Sequence, residues 1–269
     1  MKHKFVCAFL TVCLFAGALF IDVNSNIPAV LENKTYNILV SCFPVYALTE
    51  AITGEVPGLS VQMLTLPRQE GYTEYEFSDW ETAYANSADI FVCLGEGFEN
   101  FDTSYLNEDC IIITLLANED LLNTESLITT ANTENVSPSE IYHVYLSAEG
   151  NIRLLSKLSK AFINVDPQYA DMYEVNFENA IRRIENIEHK EYESYKRIAI
   201  EPAFVYMMND AGIDTDHVFF ADDDMTLPED TVDLRDKLDM MLDMDDSFTF
   251  EDYVNTMRKN YSLLYEAAE

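Results

Sequence analysis

Residues 37–52 read NILVSCFPVYALTEAI, and this stretch decides the fold that we expect for the chain. Its first seven residues are largely apolar, which is typical of a strand buried on both faces of a sheet. Pro44 interrupts the strand, and residues 45–52 then have the composition of a helix that stops at Gly54. A buried strand that leads directly into a helix predicts an α/β fold with a parallel sheet.

The same alternation of strand and helix continues along the first half of the chain. The predicted strands lie at 59–66, 89–94 and 110–115, and a helix is predicted at 78–86, with Ser78 as its N-cap. Strands that alternate with helices form a mostly parallel sheet that is covered on both faces. We therefore expect residues 26–165 to form an N-terminal α/β lobe.

A long helix is predicted in the middle of the chain. Asp166 is placed to cap it, and Pro167 suits its first turn, where the missing N–H is not needed. Apolar residues then recur at helical spacing as far as Ile187. The run is roughly 20 residues, or about 30 Å long at 1.5 Å per residue. We expect residues 166–190 to be a helix that links the first lobe to a second one.

The remaining residues, 191–269, are expected to form a C-terminal α/β lobe. Apolar runs predict short strands at 197–200, 217–221 and 240–242. Helical spacing predicts helices at 204–210, 230–238 and 250–268, of which the last is amphipathic.

The N-terminus has the features of a secretory signal. Two lysines precede an uncharged and mostly apolar run at 5–21, which is the arrangement of a signal peptide. The run is slightly shorter than the about 20 apolar residues that cross a membrane, and an uncleaved anchor is the competing interpretation. We assign residues 1–25 to a signal peptide or N-terminal anchor. The protein is then expected outside the cytoplasm, as a secreted, periplasmic or cell-surface protein.

The charge of the chain restricts its partners. It has 48 Asp and Glu residues against 16 Lys and Arg, a formal net charge of −32. Proteins bind the phosphates of nucleic acids with Lys and Arg, so a nucleic-acid partner is not expected. An acidic surface raises the local concentration of cations, although a solvated surface that only maintains solubility is the simpler explanation of the charge.

Three cysteines follow the signal segment: Cys42, Cys93 and Cys110. Their spacing matches no zinc-finger pattern, and an odd number does not indicate a disulfide framework. Each lies within or beside an apolar run, so we expect buried free thiols. A bridge between Cys42 and Cys93 is the alternative.

Seven short segments carry a resemblance to a known family. They lie at 41–49, 66–76, 87–99, 142–146, 166–168, 201–206 and 253–260. In this order they resemble the metal-binding solute-binding proteins of zinc and manganese ABC importers. The resemblance extends from residue 37 to the end of the chain. It implies two α/β lobes that capture an ion between them and deliver it to a membrane permease. The short interval between Gly212 and His217 leaves no room for a helix that the family usually has, so the second lobe is expected to be reduced.

The family holds its metal with four side chains, two from each lobe. Carried over by position, this implies His143 as the second ligand, Glu201 as the third and Asp243 as the fourth, for which Asp239, Asp245 and Asp246 are the competing candidates. The first ligand, a His in the family, corresponds to Thr73, which is a poor metal ligand. The nearby carboxylates of Glu74 and Glu76 are the candidates to replace it.

One imidazole with several carboxylates suits Mn²⁺ and also accepts Zn²⁺. We therefore expect Zn or Mn as the transported ligand, no organic cofactor and a monomeric protein. The alternative is a family member that has lost its metal site and acts as a surface interaction or adhesion module. An enzyme is not expected, since the chain has neither a Gly-x-Ser-x-Gly nor a His-Glu-x-x-His motif.

Overall fold

The computed structural model defines most of the predicted elements. The residues that it describes are 35–64, 77–95, 98–99, 102–116, 142–187, 196–213, 217–220 and 226–269. The expected signal peptide or anchor at 1–25 lies outside the described residues, as do Thr73, Glu74 and Glu76.

Four parallel strands form the first sheet, in the order β2-β1-β3-β4. They are β1 (Tyr36–Val40), β2 (Leu59–Met63), β3 (Ile90–Cys93) and β4 (Ile111–Thr114). Every pairing in this sheet is parallel, and all four residues of β3 are buried. The predicted α/β class with a parallel sheet is confirmed.

Helices cover both faces of this sheet. Helix α1 (Phe43–Thr53) starts two residues earlier than predicted, because Pro44 lies in its first turn, where its fixed φ favours a helix. Helix α2 (Asp79–Ser87) starts after Ser78, as predicted, and the Ser78 N–H donates to the Glu81 carboxylate at 2.9 Å. This capping box satisfies backbone groups that the helix cannot satisfy itself.

The three cysteines among the described residues are free thiols; Cys42 and Cys93 are buried as expected, whereas Cys110 is only partly buried. Cys42 belongs to the large apolar cluster on the α1 side of the sheet, whereas Cys93 belongs to the small cluster on the α2 side. A Cys42–Cys93 bridge is therefore not formed, because the two side chains point to opposite faces.

Two helices follow the first sheet: α3 (Ala148–Val165) and α4 (Ala170–Glu185). The predicted helix from 166 begins with a single 3₁₀ turn, Pro167–Tyr169, and then continues as the 16 residues of α4. Asp166 precedes the turn but does not cap it. Its buried carboxylate accepts a hydrogen bond from the Tyr173 hydroxyl at 3.2 Å instead. Helix α4 packs along α1 and α3.

The second sheet has three parallel strands in the order β6-β5-β7. They are β5 (Arg197–Ile200), β6 (Val218–Phe220) and β7 (Thr231–Asp233). Helix α5 (Val205–Asp210) follows β5, and helix α6 (Phe250–Ala268) closes the chain. Strands of three or four residues agree with the expected reduced second lobe. The lobe boundaries at 166 and 190 stay predictions.

Two predictions for the second lobe were wrong. Residues 230–238 form β7 and a turn rather than a helix, because the β-branched pair Thr231 and Val232 aligns with the central strand β5. Leu234 and Leu238 have helical spacing and are buried, but they lie at the two ends of a turn and not on a helix. Residues 240–242 form no strand, since Met241 has a left-handed φ of 59° that a ladder does not accept.

One large apolar cluster connects the two sheets. It contains residues of β1 and β3, of β5 and β6, and of helices α1, α3, α4 and α6. Helix α6 contributes Tyr253, Val254, Met257, Tyr261 and Leu264, all at most 1 % exposed. The closing helix is therefore packed into the core rather than laid on its surface.

Candidate metal centre

His143 lies at the start of a one-turn 3₁₀ helix, Val144–Leu146. Its Nδ1 is 2.9 Å from the hydroxyl of the fully buried Tyr145. The imidazole also packs edge-on against Phe98, with the ring centroids 5.1 Å apart. The ring is thus fixed by one hydrogen bond and by aromatic contacts.

Burial also controls the charge of this imidazole. Desolvation lowers the pKa of His143 to about 4, so the ring is neutral at neutral pH. A neutral imidazole is the form that binds metals. Because Nδ1 is engaged by Tyr145, Nε2 is the nitrogen left for an ion, and it has no hydrogen-bond partner among the described residues. A hydrogen-bond partner on the second ring nitrogen, such as the Tyr145 hydroxyl on Nδ1, commonly orients a metal-binding histidine.

Glu201 follows β5, the central strand of the second sheet. Pro202 starts a 3₁₀ turn directly after it, so the chain leaves the sheet at this residue. The side chain is partly exposed. Ligands of open α/β sheets bind outside the carboxyl ends of the strands, and Glu201 lies at such an end.

Asp243 is an exposed residue in the irregular stretch between Leu238 and Thr249. Two residues before it, Met241 is fully buried in a left-handed backbone conformation, with a φ of 59°. The Met241 N–H donates to the Asp239 carboxylate at 2.7 Å. The backbone is therefore anchored just before the candidate donor.

Within the part of the chain that the structure describes, no three His, Cys, Asp or Glu side chains are close enough together to hold a metal ion. His143, Glu201 and Asp243 are placed on three separate segments and do not form a closed ligand set in this structure. The donors proposed in place of the family's first ligand, Glu74 and Glu76, lie outside the described residues, as does Thr73. The ligand set stays a prediction.

Glu99 is a buried acid at the end of the segment 87–99, which carries part of the family resemblance. It is 4 % exposed and accepts hydrogen bonds from the Ser41 hydroxyl and from the Gly95 N–H, the latter at 3.1 Å. Desolvation raises the pKa of Glu99 to about 7, although its hydrogen bonds partly oppose the shift. The carboxyl group connects the ends of β1 and β3, and it lies next to Phe98, which contacts His143. Glu96 follows the same buried strand, so the sequence alone did not single out Glu99.

The thiols near this acid are poor metal ligands. Burial, and then the nearby Glu99 carboxylate, raise the pKa of Cys42 well above its usual range and the pKa of Cys93 to about 12. Metals bind the thiolate form, which these residues do not reach at neutral pH. A metal site in this region therefore has to use the His143 imidazole and carboxylates rather than these thiols.

No helix within the described ranges is both long enough and apolar enough to cross a membrane.

Comparison with solved structures identifies proteins that share this fold. The Zn(II)-bound ZnuA-like domain of Streptococcus pneumoniae AdcA matches with a TM-score of 0.64 and 17 % identity, over 87 % of this chain and 99 % of that one. FpvC from Pseudomonas aeruginosa in complex with Mn²⁺ gives 0.64 and 17 %, over 87 % and 98 %. A mutant of the laminin-binding adhesin Lmb from Streptococcus agalactiae gives 0.63 and 15 %, over 87 % and 100 %. At these identities the likeness establishes the fold alone.

The sequence itself provides the family assignment. No curated protein matches the chain. The sequence model of the family described as zinc-uptake complex component A, periplasmic, matches residues 38–241, which is more than half of the chain. The chain therefore belongs to this family of extracytoplasmic proteins, which bind divalent metal ions and work with ABC permeases.

Proposed function

We propose that this chain captures Zn²⁺ or Mn²⁺ outside the cytoplasm and delivers the ion to the permease of an ABC importer. The observation that carries the proposal is the state of His143. Its imidazole is neutral, its Nδ1 is occupied by Tyr145, and its Nε2 has no partner among the described residues. A histidine prepared in this way is suited to donate one nitrogen to an ion.

The donors that we propose are His143, Glu201 and Asp243, with Glu74 or Glu76 in place of the family's first histidine. One nitrogen with carboxylate oxygens suits Mn²⁺ and accepts Zn²⁺. Two or more carboxylates also offset the charge of the ion. Because the three described donors lie on separate segments, binding requires their side chains to turn towards one ion, and release to the permease requires these contacts to break again.

Metal content tests the proposal directly. The purified protein, stripped of metal and then titrated with ZnCl₂ or MnCl₂, is expected to bind one ion per chain and to unfold at a higher temperature. His143→Ala should lose both effects. His217→Ala is the matched control, because His217 lies before β6 and outside the proposed ligand set. A wild-type protein that neither binds these ions nor shows a thermal shift refutes the proposal.

The location and assembly of the protein follow from the same proposal. Residues 1–25 direct the chain out of the cytoplasm and are either removed or kept as an anchor. Mass spectrometry of the exported protein distinguishes the two, since cleavage removes the first about 25 residues. The protein acts as a monomer and binds its ion without chemical change, which light scattering and product analysis of the metal-loaded protein test.

A second candidate function is a surface adhesion module that has lost its metal. Two observations favour it: the described residues contain no cluster of three metal donors, and the fold is shared with a laminin-binding adhesin. This function predicts a metal-free protein whose His143→Ala variant is as thermally stable as wild type in the presence of Zn²⁺ or Mn²⁺. The titration described above therefore separates the two functions.

A further inference from the structure

The closing helix α6 contacts the segments that carry all three described candidate donors. Tyr253 bonds to the segment after His143, Asn260 bonds to the segment before Asp243, and Tyr261 bonds to Asp210 at the end of the helix that follows Glu201. These contacts are hydrogen bonds from side chains that are at most 1 % exposed. One helix is therefore bonded to a residue on each of the three segments that carry the described candidate donors.

At the first-lobe end, the Tyr253 hydroxyl donates to the carbonyl oxygen of Tyr145 at 2.7 Å. The same carbonyl accepts from the side-chain amide of Asn151 at 2.5 Å, and Asn151 also donates to Met257 Sδ at 3.5 Å. The backbone two residues after His143 is thus held by a buried network that starts on α6.

At the second-lobe end, Asn260 makes a two-way clamp on the backbone of Asp239. Its Oδ1 accepts from the Asp239 N–H at 2.9 Å, and its amide donates to the Asp239 carbonyl oxygen at 2.8 Å. The Asp239 carboxylate in turn accepts from the Met241 N–H at 2.7 Å. Through Asp239, Asn260 therefore also holds the backbone of the buried Met241. Met241 lies two residues before Asp243.

The spacing along the helix connects the two ends. Asn260 follows Tyr253 by seven residues, about two turns of 3.6 residues each, so both side chains lie on one face of α6. The helix therefore fixes the distance between the His143 segment and the Asp243 segment. We infer that Asn260 is a positioning residue for metal binding, which places Asp243 opposite His143 by clamping the backbone of Asp239 to α6.

This inference rests on the proposed function and adds a residue that does not touch the ion. Groups that orient a metal ligand from outside typically change the affinity by about 10- to 100-fold when they are removed. A role in folding alone would lower the stability of Asn260 variants without an effect that depends on Asp243. The two roles are separated by asking whether the effect of Asn260 disappears when Asp243 is absent.

The first experiment is a double-mutant cycle on metal affinity. Asn260→Leu removes both clamp bonds, and it is expected to weaken Zn²⁺ or Mn²⁺ binding by about 10- to 100-fold in the wild-type background. In the Asp243→Ala background the same change should alter the affinity by less than about twofold. Asn255→Leu is the matched control, because Asn255 is exposed on the same helix and bonds only to Arg258 among the described residues. Equal effects of Asn260→Leu in both backgrounds overturn the inference.

A second pair of variants covers the case in which Asn260→Leu does not fold. Asp239 is exposed, so its substitution is tolerated more easily. Asp239→Ala removes the acceptor for the Met241 N–H and should weaken binding, whereas Asp239→Asn keeps an acceptor oxygen and should restore it. Loss of binding in both variants identifies Asp239 as a ligand rather than a link, which contradicts the inference.

The outcomes also separate this inference from the proposed function. A wild-type protein that binds no metal refutes the proposed function, and the positioning role is refuted with it. A wild-type protein that binds metal, together with an Asn260→Leu variant that binds equally well, refutes the positioning role alone.

Discussion

The two described halves of the candidate site are built in different ways. In the first lobe, the His143 side chain itself is fixed, by Tyr145 at Nδ1 and by the Phe98 ring. In the second lobe, Asp243 is exposed, and the backbone before it is fixed through Asp239. The comparison shows that a ligand can be prepared by packing its side chain or by anchoring its segment. The first way should give the larger contribution to affinity, because less side-chain entropy is lost when the ion binds.

The largest effect is expected from removing the two donors separately. His143→Ala should weaken Zn²⁺ or Mn²⁺ binding by about 100-fold or more, because it deletes the desolvated and already oriented ligand. Asp243→Ala should cost less, about 10-fold, because solvent competes at its exposed carboxylate. Isothermal titration of both variants measures the difference. Equal losses would mean that both donors are equally prepared, and the contrast between the two halves would then be wrong.

The second prediction tests how strongly the His143 side is desolvated. The folded-state pKa of Glu99 is about 7, above its ordinary value of 4.5, so the folded state holds this proton more tightly than the unfolded state. The stabilisation is fully present below about pH 4.5 and is lost as the pH rises to about 7, a total of about 3 kcal/mol. Glu99→Gln cannot titrate, so its stability should fall by about 3 kcal/mol less than that of wild type between pH 4 and pH 8.

Urea unfolding at both pH values measures this difference. Asp246→Asn is the control from the other half, because Asp246 is an exposed carboxylate three residues after Asp243. This variant should keep the pH dependence of the wild-type protein. If Glu99→Gln also keeps it, Glu99 is ionised in the folded state and this side of the site is more hydrated than its burial indicates.

The third prediction concerns the hydrogen bond that orients His143. Tyr145→Phe removes only the hydroxyl at 2.9 Å from Nδ1 and keeps the aromatic packing against Phe98. Metal binding should weaken by about 10-fold, since outer partners of histidine ligands contribute about this much. The ¹⁵N shifts of His143 should change at the same time, because they report which ring nitrogen carries the proton.

The control for this change is Tyr84→Phe, whose exposed ring packs on Trp80 away from the site. An unchanged affinity in Tyr145→Phe would show that packing alone orients the imidazole. The contrast between the two halves would then depend on aromatic contacts and not on a hydrogen bond.

The sequence predicted the local part of this organisation well. The amphipathic run at 250–268 matches α6, because helical spacing of apolar residues is a property of neighbouring residues. The run at 230–238 was misassigned, because the spacing of Leu234 and Leu238 is compatible with a helix. Thr231–Asp233 form a strand because they pair with β5. Such pairing depends on residues far away in the sequence and is not visible in the segment itself.

The candidate site follows the same division. The order of the short motifs along the chain was enough to select His143 and Glu201 as candidates, since each motif is made of neighbouring residues. The bond between Ser41 and Glu99 joins residues 58 positions apart, and the Asn260 clamp joins residues 21 positions apart. A single sequence does not reveal such partners, because they depend on which strand ends and helix faces the fold brings together.

The smallest effect is expected at the N-terminus of α6, on the Asp243 side. The Thr249 hydroxyl accepts from the Asp252 N–H at 3.2 Å, and the Asp252 carboxylate accepts from the Thr249 N–H at 2.8 Å. Thr249→Ala should reduce the free energy of unfolding by about 1 kcal/mol. Ser262→Ala, an exposed change within the same helix, should have a smaller effect on stability.

Metal affinity in Thr249→Ala should stay within about twofold of wild type, since independent sites contribute additively. The reason is that the contacts of α6 with the donor segments begin at Tyr253, one turn after the cap, and the strongest clamp on the Asp243 side lies two turns further along at Asn260. Fraying of the first turn therefore leaves both halves in place. A tenfold loss of affinity would instead show that the Asp243 segment takes its position from the start of the helix, and the backbone anchor of the second half would have to be moved from Asn260 to Thr249.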